Sequence, residues 1–105
     1  MAALKALFTE DVRADYGIAA LHGGDAVAAF LADTIAAGSA WMVHNIHSPL
    51  IEVDGDSATG NWTVNVRTKR TGIGAVDLIF GRYADRFRRV EGAWKIAAIA
   101  FDRYE

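Results

Sequence analysis

The chain has 105 residues, of which 52% are hydrophobic and 23% are charged, with a formal net charge of −2 and no cysteine. These figures predict one globular domain over residues 1–105, with no disulfide or thiol chemistry, as expected for a cytoplasmic protein, and with no long-range attraction for nucleic acid. No apolar run approaches the ~20 residues of a membrane-spanning helix, so we expect a soluble protein without a membrane anchor.

The first 40 residues predict short elements around one helix. Residues 2–8 have the composition of a helix end, and residues 11–17 predict a short strand closed by a glycine. Between residues 23 and 38 apolar side chains recur at helical spacing, which predicts an amphipathic helix. Asp25 stands where a side chain would cap the first turn of this helix.

From Trp41 onward the hydrophobic period changes to two, which predicts strands. Glycine-containing turns separate the predicted strands, which cover 41–54, 57–70, 76–90 and 93–104. The turn TGIGAVD lacks the third glycine of a dinucleotide-binding loop, so we predict a hairpin there. A helix followed by four long consecutive strands indicates the α+β class, with a curled sheet that helices close on one side.

Alternation along these strands separates an apolar face from a polar one. In the strand predicted over 57–70, the apolar face carries Ala58, Gly60, Trp62, Val64 and Val66. The last strand is predicted to be central and covered on both faces. A bulge in it would place Trp94, Ile96 and Ala98 on one side and Ile99 and Phe101 on the other.

Two histidines in the stretch VHNIHSP are candidate functional residues. His44 and His47 are three residues apart, so on a regular strand they face opposite sides of the sheet and cannot bind one metal ion together. A bulge beside Pro49 would change this count. With no third ligand at a suitable spacing, we expect no metal site.

His44 is predicted to share the apolar face of its strand with Met42 and Ile46, and this placement leaves two interpretations open. In the first, a half-buried histidine simply fills space and hydrogen-bonds to a neighbour. In the second, Tyr83 and Asp85, which alternate onto one face of another strand, meet the imidazole across the curved sheet. Asp85 would then hold His44 in one tautomer, and Tyr83 would donate to a substrate oxygen, which makes a general acid/base site.

The order of these features resembles a known family. The stretches that carry the resemblance are LFTEDVRADYG, GGDAVAAFL, HNIHSPLIEVDGDSATG and GRYADRFRRVEGAWKIA. Together they are similar to the SnoaL-like branch of the nuclear-transport-factor-two superfamily, which also holds scytalone dehydratase and ketosteroid isomerase. The resemblance covers nearly the whole chain, although the family's usual first helix has no counterpart in it.

The resemblance implies a cone, in which a strongly curved mixed sheet wraps round an apolar pocket and helices plug it, as in a cystatin-like roll. In the dehydratases of the superfamily, a histidine at the position of His44 serves as general acid or base, so the same role is implied for His44. Without the first helix one side of the cone would expose apolar surface, which a partner subunit would cover in a homodimer.

Three functions are open on this basis. The first is a cofactor-free lyase or isomerase, of dehydratase or polyketide-cyclase type, that acts on a small hydrophobic cyclic molecule through His44, Asp85 and Tyr83. The second is a module that binds such a molecule without chemistry, and the third is a structural domain whose open face forms a dimer. The expected pocket residues are Tyr16, Phe30, Met42, Ile46, Trp62, Val64 and Val66.

Overall fold

The computed structural model describes residues 2–72 and 74–104 and contains a six-stranded mixed sheet with short helices. The strands are β1 (Phe8–Asp15), β2 (Ala20–His22), β3 (Ser39–Asp54), β4 (Ser57–Arg70), β5 (Val76–Val90) and β6 (Ala93–Arg103). The helical elements are α1 (Ala2–Lys5), α2 (Gly24–Ala29) and a π-helix (Phe30–Ala36) that continues α2. The predicted α+β class with a strongly curved, mixed sheet is confirmed.

The sheet order is β2-β1-β6-β5-β4-β3, with β1 and β6 parallel and the other neighbours antiparallel. Each of the four long strands starts and ends within two residues of its predicted bounds. The prediction that the last strand is central is also confirmed, because β6 lies between β1 and β5. The predicted TGIGAVD turn connects β4 to β5, but its Ile73 lies outside the described residues.

The start of the chain differs from the prediction. The helix ends at Lys5, and β1 begins at Phe8, three residues before the predicted strand. Phe8 lies opposite Ile96 of β6, and the Ile96 N–H donates to the Leu7 carbonyl at 2.8 Å. Pairing with a distant strand therefore overrides the local helical tendency of this segment.

The well-packed core lies where α2 covers β1 and β6. Val12 of β1 and Val27 of α2 are fully buried, and Phe8 and Ala14 lie against them. The surrounding, partly buried residues are Leu4, Tyr16, Leu21, Leu31, Ile96 and Ile99. None of the helices among residues 2–72 and 74–104 is long and apolar enough to cross a membrane.

Asp25 does not cap α2, contrary to the prediction. The N-cap residue is Gly23, whose φ of 91° is a conformation that favours glycine, and no side chain caps the helix. Asp25 instead forms an exposed ion pair with Lys5, with Nζ and Oδ1 2.8 Å apart. The carboxylate thus links α1 to α2, and it still lies in the first turn, where negative charge is favourable.

The bulge in β6 is present, but it places Ile96 and Ile99 on the same face of the sheet, whereas opposite faces were predicted. Ile96 lies opposite Phe87 and Ala98 opposite Arg86, so Ala97 is the extra residue. Because two residues of β6 face one residue of β5 at the bulge, the side chains beyond it change faces. Ile96 and Ile99 therefore lie on the same face instead of on opposite faces. The apolar residues of β6 consequently converge on the concave side of the sheet.

Candidate functional site

A cavity of about 190 Å³ lies on the concave side of the sheet. It is lined by Tyr16, Ile18, Phe30, Leu31, Ile35, Met42, His44, Val66, Ile79, Tyr83 and Phe101. Its wall is apolar except for one imidazole and two phenols. Such a hollow, with few polar groups among apolar ones, is typical of a small-molecule site.

The π-helix supplies the helical side of this cavity. The Ala37 N–H donates to the Ala32 carbonyl at 3.1 Å, five residues back instead of the usual four. This wider winding brings Phe30, Leu31 and Ile35 to the same cavity. π-helical turns are rare and are frequent at functional sites, so this segment marks the cavity independently of its polar residues.

His44 enters the cavity from β3. It lies opposite Val66, which in turn lies opposite Ile79, so the three side chains form one row across β3, β4 and β5. Desolvation lowers the pKa of His44 from its usual value of 6.5. The residue is nevertheless partly exposed to solvent, which places it at the cavity mouth. No side chain of the described residues hydrogen-bonds to its ring.

His47 lies on the opposite face, as the spacing predicts. It lies opposite Thr63, and its Nδ1 is 3.3 Å from the Ser48 Oγ. A bulge beside Pro49 is present, but it falls between His47 and Leu50 and leaves the parity of the two histidines unchanged. Among residues 2–72 and 74–104, no three histidine, aspartate or glutamate side chains gather as a metal site would require.

A row of aromatic residues crosses the sheet beside the cavity. Trp62 lies opposite Tyr83, and Tyr83 lies opposite Phe101, with the last two ring centroids 5.2 Å apart. Tyr16 follows β1 directly and stacks on Phe30 of the π-helix at 5.3 Å. The two tyrosines therefore each hold their ring against a phenylalanine of the cavity wall.

Two glycines on the concave face make room for aromatic rings. A Cβ atom on Gly81 would lie 2.6 Å from Cε1 of Phe101 and 2.5 Å from the Asp102 carbonyl oxygen. A Cβ atom on Gly60 would lie 2.2 Å from Cη2 of Trp62. The indole of Trp62 therefore lies across Gly60 and not in the cavity wall, and the phenyl ring of Phe101 lies across Gly81.

Asp85 and the two tyrosines influence one another electrostatically. Burial raises the pKa of Asp85 from 3.8 to about 6, although the backbone N–H of Ala100 works in the opposite direction. One carboxyl oxygen, Oδ1, is fully buried with no hydrogen-bond partner among the described residues. Burial, then the charge on Tyr83 and on Asp85, raises the pKa of Tyr16 to about 12, and burial and Asp85 also raise that of Tyr83.

The expectation that Asp85 orients His44 is wrong. Asp85 lies opposite Gly60 of β4, whereas His44 lies opposite Val66 on the other edge of the same strand. The interval from Gly60 to Val66 is about 20 Å at ~3.3 Å per residue. A carboxyl group cannot reach an imidazole over that distance, so Asp85 acts on the tyrosines and not on the histidine.

The structure brings only part of the expected set to the cavity. Tyr16, Phe30, Met42, His44, Val66 and Tyr83 line it, whereas Ile46, Trp62, Val64 and Asp85 do not. Five further residues line the cavity although the sequence did not predict them there: Ile18, Leu31, Ile35, Ile79 and Phe101. Leu31 and Ile35 have the signal of the amphipathic helix. Ile18 lies in a connection without any periodic pattern.

Comparison with known proteins agrees with this architecture. A model of the SnoaL-like domain matches residues 1–100. No curated protein matches the chain. Solved structures are similar in fold, including that of a proposed scytalone dehydratase from Novosphingobium aromaticivorans, which is 24% identical with a TM-score of 0.88 over 99% of this chain and 70% of that one.

Two further structures extend the comparison. A hexachlorocyclohexane dehydrochlorinase, LinA-type3 of Novosphingobium barchaimii, is 17% identical, with a TM-score of 0.87 over 99% of this chain and 73% of that one. A protein of unknown function from Mycobacterium tuberculosis is 27% identical, with a TM-score of 0.82 over 96% of this chain and 58% of that one. The family model covers almost all of the sequence, and the chain therefore belongs to the SnoaL-like domain family.

Proposed function

We propose that this protein binds a small hydrophobic cyclic molecule in the concave cavity and acts on it as a cofactor-free lyase or isomerase. The observation that carries the proposal is the lining of the cavity, in which His44, Tyr16 and Tyr83 are the only polar side chains with a dissociable proton among the residues that the structure describes. An apolar surrounding strengthens the interaction of each such group with a ligand, because little water competes for it.

The chemistry that suits this set is proton transfer next to a carbonyl group. The neutral imidazole of His44 takes a proton from the carbon beside the carbonyl. The electron pair of that C–H bond forms the carbon–carbon double bond of an enolate, and the π electron pair of the carbonyl moves to its oxygen. Return of the proton from His44 to another carbon gives an isomer. Alternatively, the enolate re-forms the carbonyl and expels a hydroxyl group from the next carbon, which leaves as water with the proton from His44 and gives an unsaturated product. One such positioned group contributes about 10² to 10⁴-fold to the rate.

The tyrosines have the complementary role in this proposal. Their pKa values lie above the usual 10, so at neutral pH both phenols keep their protons and can donate to an oxygen that gains negative charge. Asp85 does not line the cavity but supports them, since the negative charge of its carboxylate opposes the ionisation of both phenols. Two of the similar structures are named as a dehydratase and a dehydrochlorinase, and both names denote eliminations.

Exchange of carbon-bound hydrogen tests the catalytic role without knowledge of the natural substrate. In D₂O, the wild-type protein should accelerate deuterium incorporation next to the carbonyl of a cyclic ketone such as cyclohexanone, as followed by NMR. His44→Gln should lower the accelerated rate by about 10²-fold or more. His47→Gln is the matched control, because this histidine lies on the same strand but on the opposite face, and it should leave the rate unchanged.

A binding module without chemistry is the second candidate, and one observation favours it. His44 has no hydrogen-bonded side chain to fix its tautomer, whereas acid/base histidines are usually oriented by such a partner. If the same ketones raise the melting temperature but His44→Gln and the wild type exchange hydrogen at the same slow rate, the protein binds and does not catalyse.

We further propose that a second copy of the chain covers the open part of the concave face. Ile46, Ile51 and Val53 of β3 lie opposite Val64, Gly60 and Ala58, which places them on the concave side. They remain 55%, 57% and 64% exposed. Apolar groups adjacent to one another and exposed to this degree mark an interaction surface more often than ordinary protein surface.

The oligomeric state tests this interface. Light scattering should give the mass of a dimer for the wild type and of a monomer for Ile51→Asp. Leu50→Asp is the control, because Leu50 is 61% exposed but lies opposite Asn61, on the convex face. If Leu50→Asp dissociates the dimer and Ile51→Asp does not, the interface lies on the convex side. A monomeric wild type removes the proposal.

A further inference from the structure

We infer that the cavity takes a single-ring, uncharged ligand that bears a hydrogen-bond-accepting oxygen, and not a bicyclic or larger molecule. The inference rests on the proposed function and specifies the ligand class of the same site. Three features of the cavity support it independently: its volume, the aromatic side chains at one of its boundaries, and the absence of charged groups among its described lining residues.

The volume sets the number of rings. An apolar cavity of about 150 Å³ holds one benzene molecule, whereas sites for drug-sized ligands usually range from about 300 to 1,000 Å³. At about 190 Å³, the present cavity has room for one six-membered ring and a small substituent. A fused bicyclic or steroid-like molecule would protrude from it, and its apolar rings would stay in water.

Aromatic side chains fix this volume, and they are held in place. The ring of Phe101 lies across Gly81, in contact with Tyr83, at one boundary of the cavity. Beyond that boundary the concave face is occupied by Trp62, which lies across Gly60 and packs edge-on against Phe87 with centroids 5.9 Å apart. Trp62 and Phe87 thus occupy the concave face next to the aromatic row, and neither of them lines the cavity.

The wall has no charged partner for an ionic ligand. Within residues 2–72 and 74–104, none of the lining residues is an aspartate, glutamate, lysine or arginine. His44 is neutral at pH 7, because its pKa is lowered from 6.5, so it does not supply a positive charge. Burying a carboxylate or an ammonium group without a counter-charge is strongly unfavourable, and the cavity therefore selects against both.

The two phenols select for an oxygen acceptor. Tyr16 and Tyr83 line the cavity from opposite sides of Phe101 and retain their protons at neutral pH. No hydrogen bond from either hydroxyl group to another described side chain is present. Both tyrosines are half-buried, so a bound ligand without an acceptor would cover these donors without pairing them, whereas a carbonyl or ether oxygen would accept from them.

The test uses melting temperature in the presence of four neutral or charged probes at 10 mM, or at saturation where solubility is lower. Cyclohexanone carries one ring and one acceptor, methylcyclohexane lacks the acceptor, benzoate adds a charge, and 1-tetralone adds a second ring. Cyclohexanone should raise the melting temperature by about 5 °C or more, since a ligand that binds only the folded state stabilises it. The other three should raise it by less than about 1 °C.

Enlarged cavities test the size limit directly. Phe101→Ala should increase the affinity for 1-tetralone by at least tenfold. Ile79→Ala is a smaller change in the same wall, and it serves as the test if Phe101→Ala does not fold. Phe87→Ala is the control, because this ring packs on the concave face outside the cavity wall. It should leave the preference for one ring unchanged.

The outcomes separate this inference from the proposed function. If 1-tetralone or benzoate stabilises the wild type as much as cyclohexanone does, the ligand class is wrong while a binding cavity remains. If methylcyclohexane does so, the oxygen requirement is wrong. If no probe stabilises either the wild type or the enlarged variants, the proposed function itself fails.

Discussion

The half-buried carboxyl of Asp85 predicts an unusual dependence of stability on pH. Its pKa is about 6 in the folded chain, compared with 3.8 for an unperturbed aspartate. The folded state therefore holds a proton over a pH range in which the unfolded chain has already released it. The corresponding contribution to the free energy of unfolding is fully present below pH 3.8 and is lost as pH rises through about 6.

The size of the effect follows from the two pKa values. A difference of about two pH units corresponds to at most about 3 kcal/mol, at about 1.4 kcal/mol per unit. Asp85 retains some contact with solvent, which screens the interaction, so we expect about 1–2 kcal/mol. Asp85→Asn removes the ionisation and should gain this stability relative to the wild type between pH 4 and pH 7.5. For a domain of this size the gain equals about 5–10 °C in melting temperature.

Calorimetry or circular dichroism at pH 4 and pH 7.5 measures this difference for both proteins. Other groups that titrate in the same range affect the wild type and the variant equally and cancel in the comparison. Asp102→Asn is the control, because Asp102 is an exposed carboxylate on the convex face opposite Arg82. Should the Asp85→Asn and wild-type curves run parallel between the two pH values, the carboxyl is not desolvated and the electrostatic account of the tyrosines fails with it.

Three other predictions concern the cavity. In urea denaturation, Gly81→Ala should lower the free energy of unfolding by about 1–3 kcal/mol, because its Cβ atom would lie 2.6 Å from Phe101. Gly74→Ala is the control and should have little effect, because no atom lies within 4 Å of its Cβ position. In calorimetric titration, Tyr83→Phe should weaken cyclohexanone binding by about fivefold or more, because it removes a hydrogen-bond donor. Tyr104→Phe, at an exposed position, should not weaken it. Equal losses of affinity in the two variants would contradict the donor role of the Tyr83 hydroxyl. The rate of deuterium incorporation into cyclohexanone should rise with pH and level off, with a midpoint below pH 6.5. Only neutral His44 accepts a proton, and its pKa is lowered from 6.5. A midpoint above pH 6.5 would contradict the role of His44 as the base.

The sheet could be predicted closely from the sequence because strand signals are local. Alternation of side chains and glycine at the turns locate β3, β4 and β5 to within two residues. The same parity separates His44 from His47, and it places Tyr83 and Asp85 on one face. These features depend only on the two-residue period of an extended chain, which each strand carries by itself.

The composition of the site could not be predicted in the same way, because it depends on register between strands. Which residue of β5 lies in the same row as His44 is decided by how far β4 and β5 are offset. This offset places Ile79 in that row, with Val66 between the two residues, and it places Asp85 about 20 Å away. Likewise, the two-residue period of β4 predicts the correct face for Trp62. Only the tertiary structure shows that the indole lies across Gly60 and is not part of the cavity wall.

The amino-acid sequence by itself determined the fold class, the family and the faces of the long strands, since these follow from patterns within a segment. The tertiary structure alone decided the volume of the cavity, the separation of Asp85 from the imidazole, and the convergence of β6 through the extra residue at Ala97. Each of these depends on side chains from several strands meeting in three dimensions, where a shift of one residue in register exchanges the inner and outer faces.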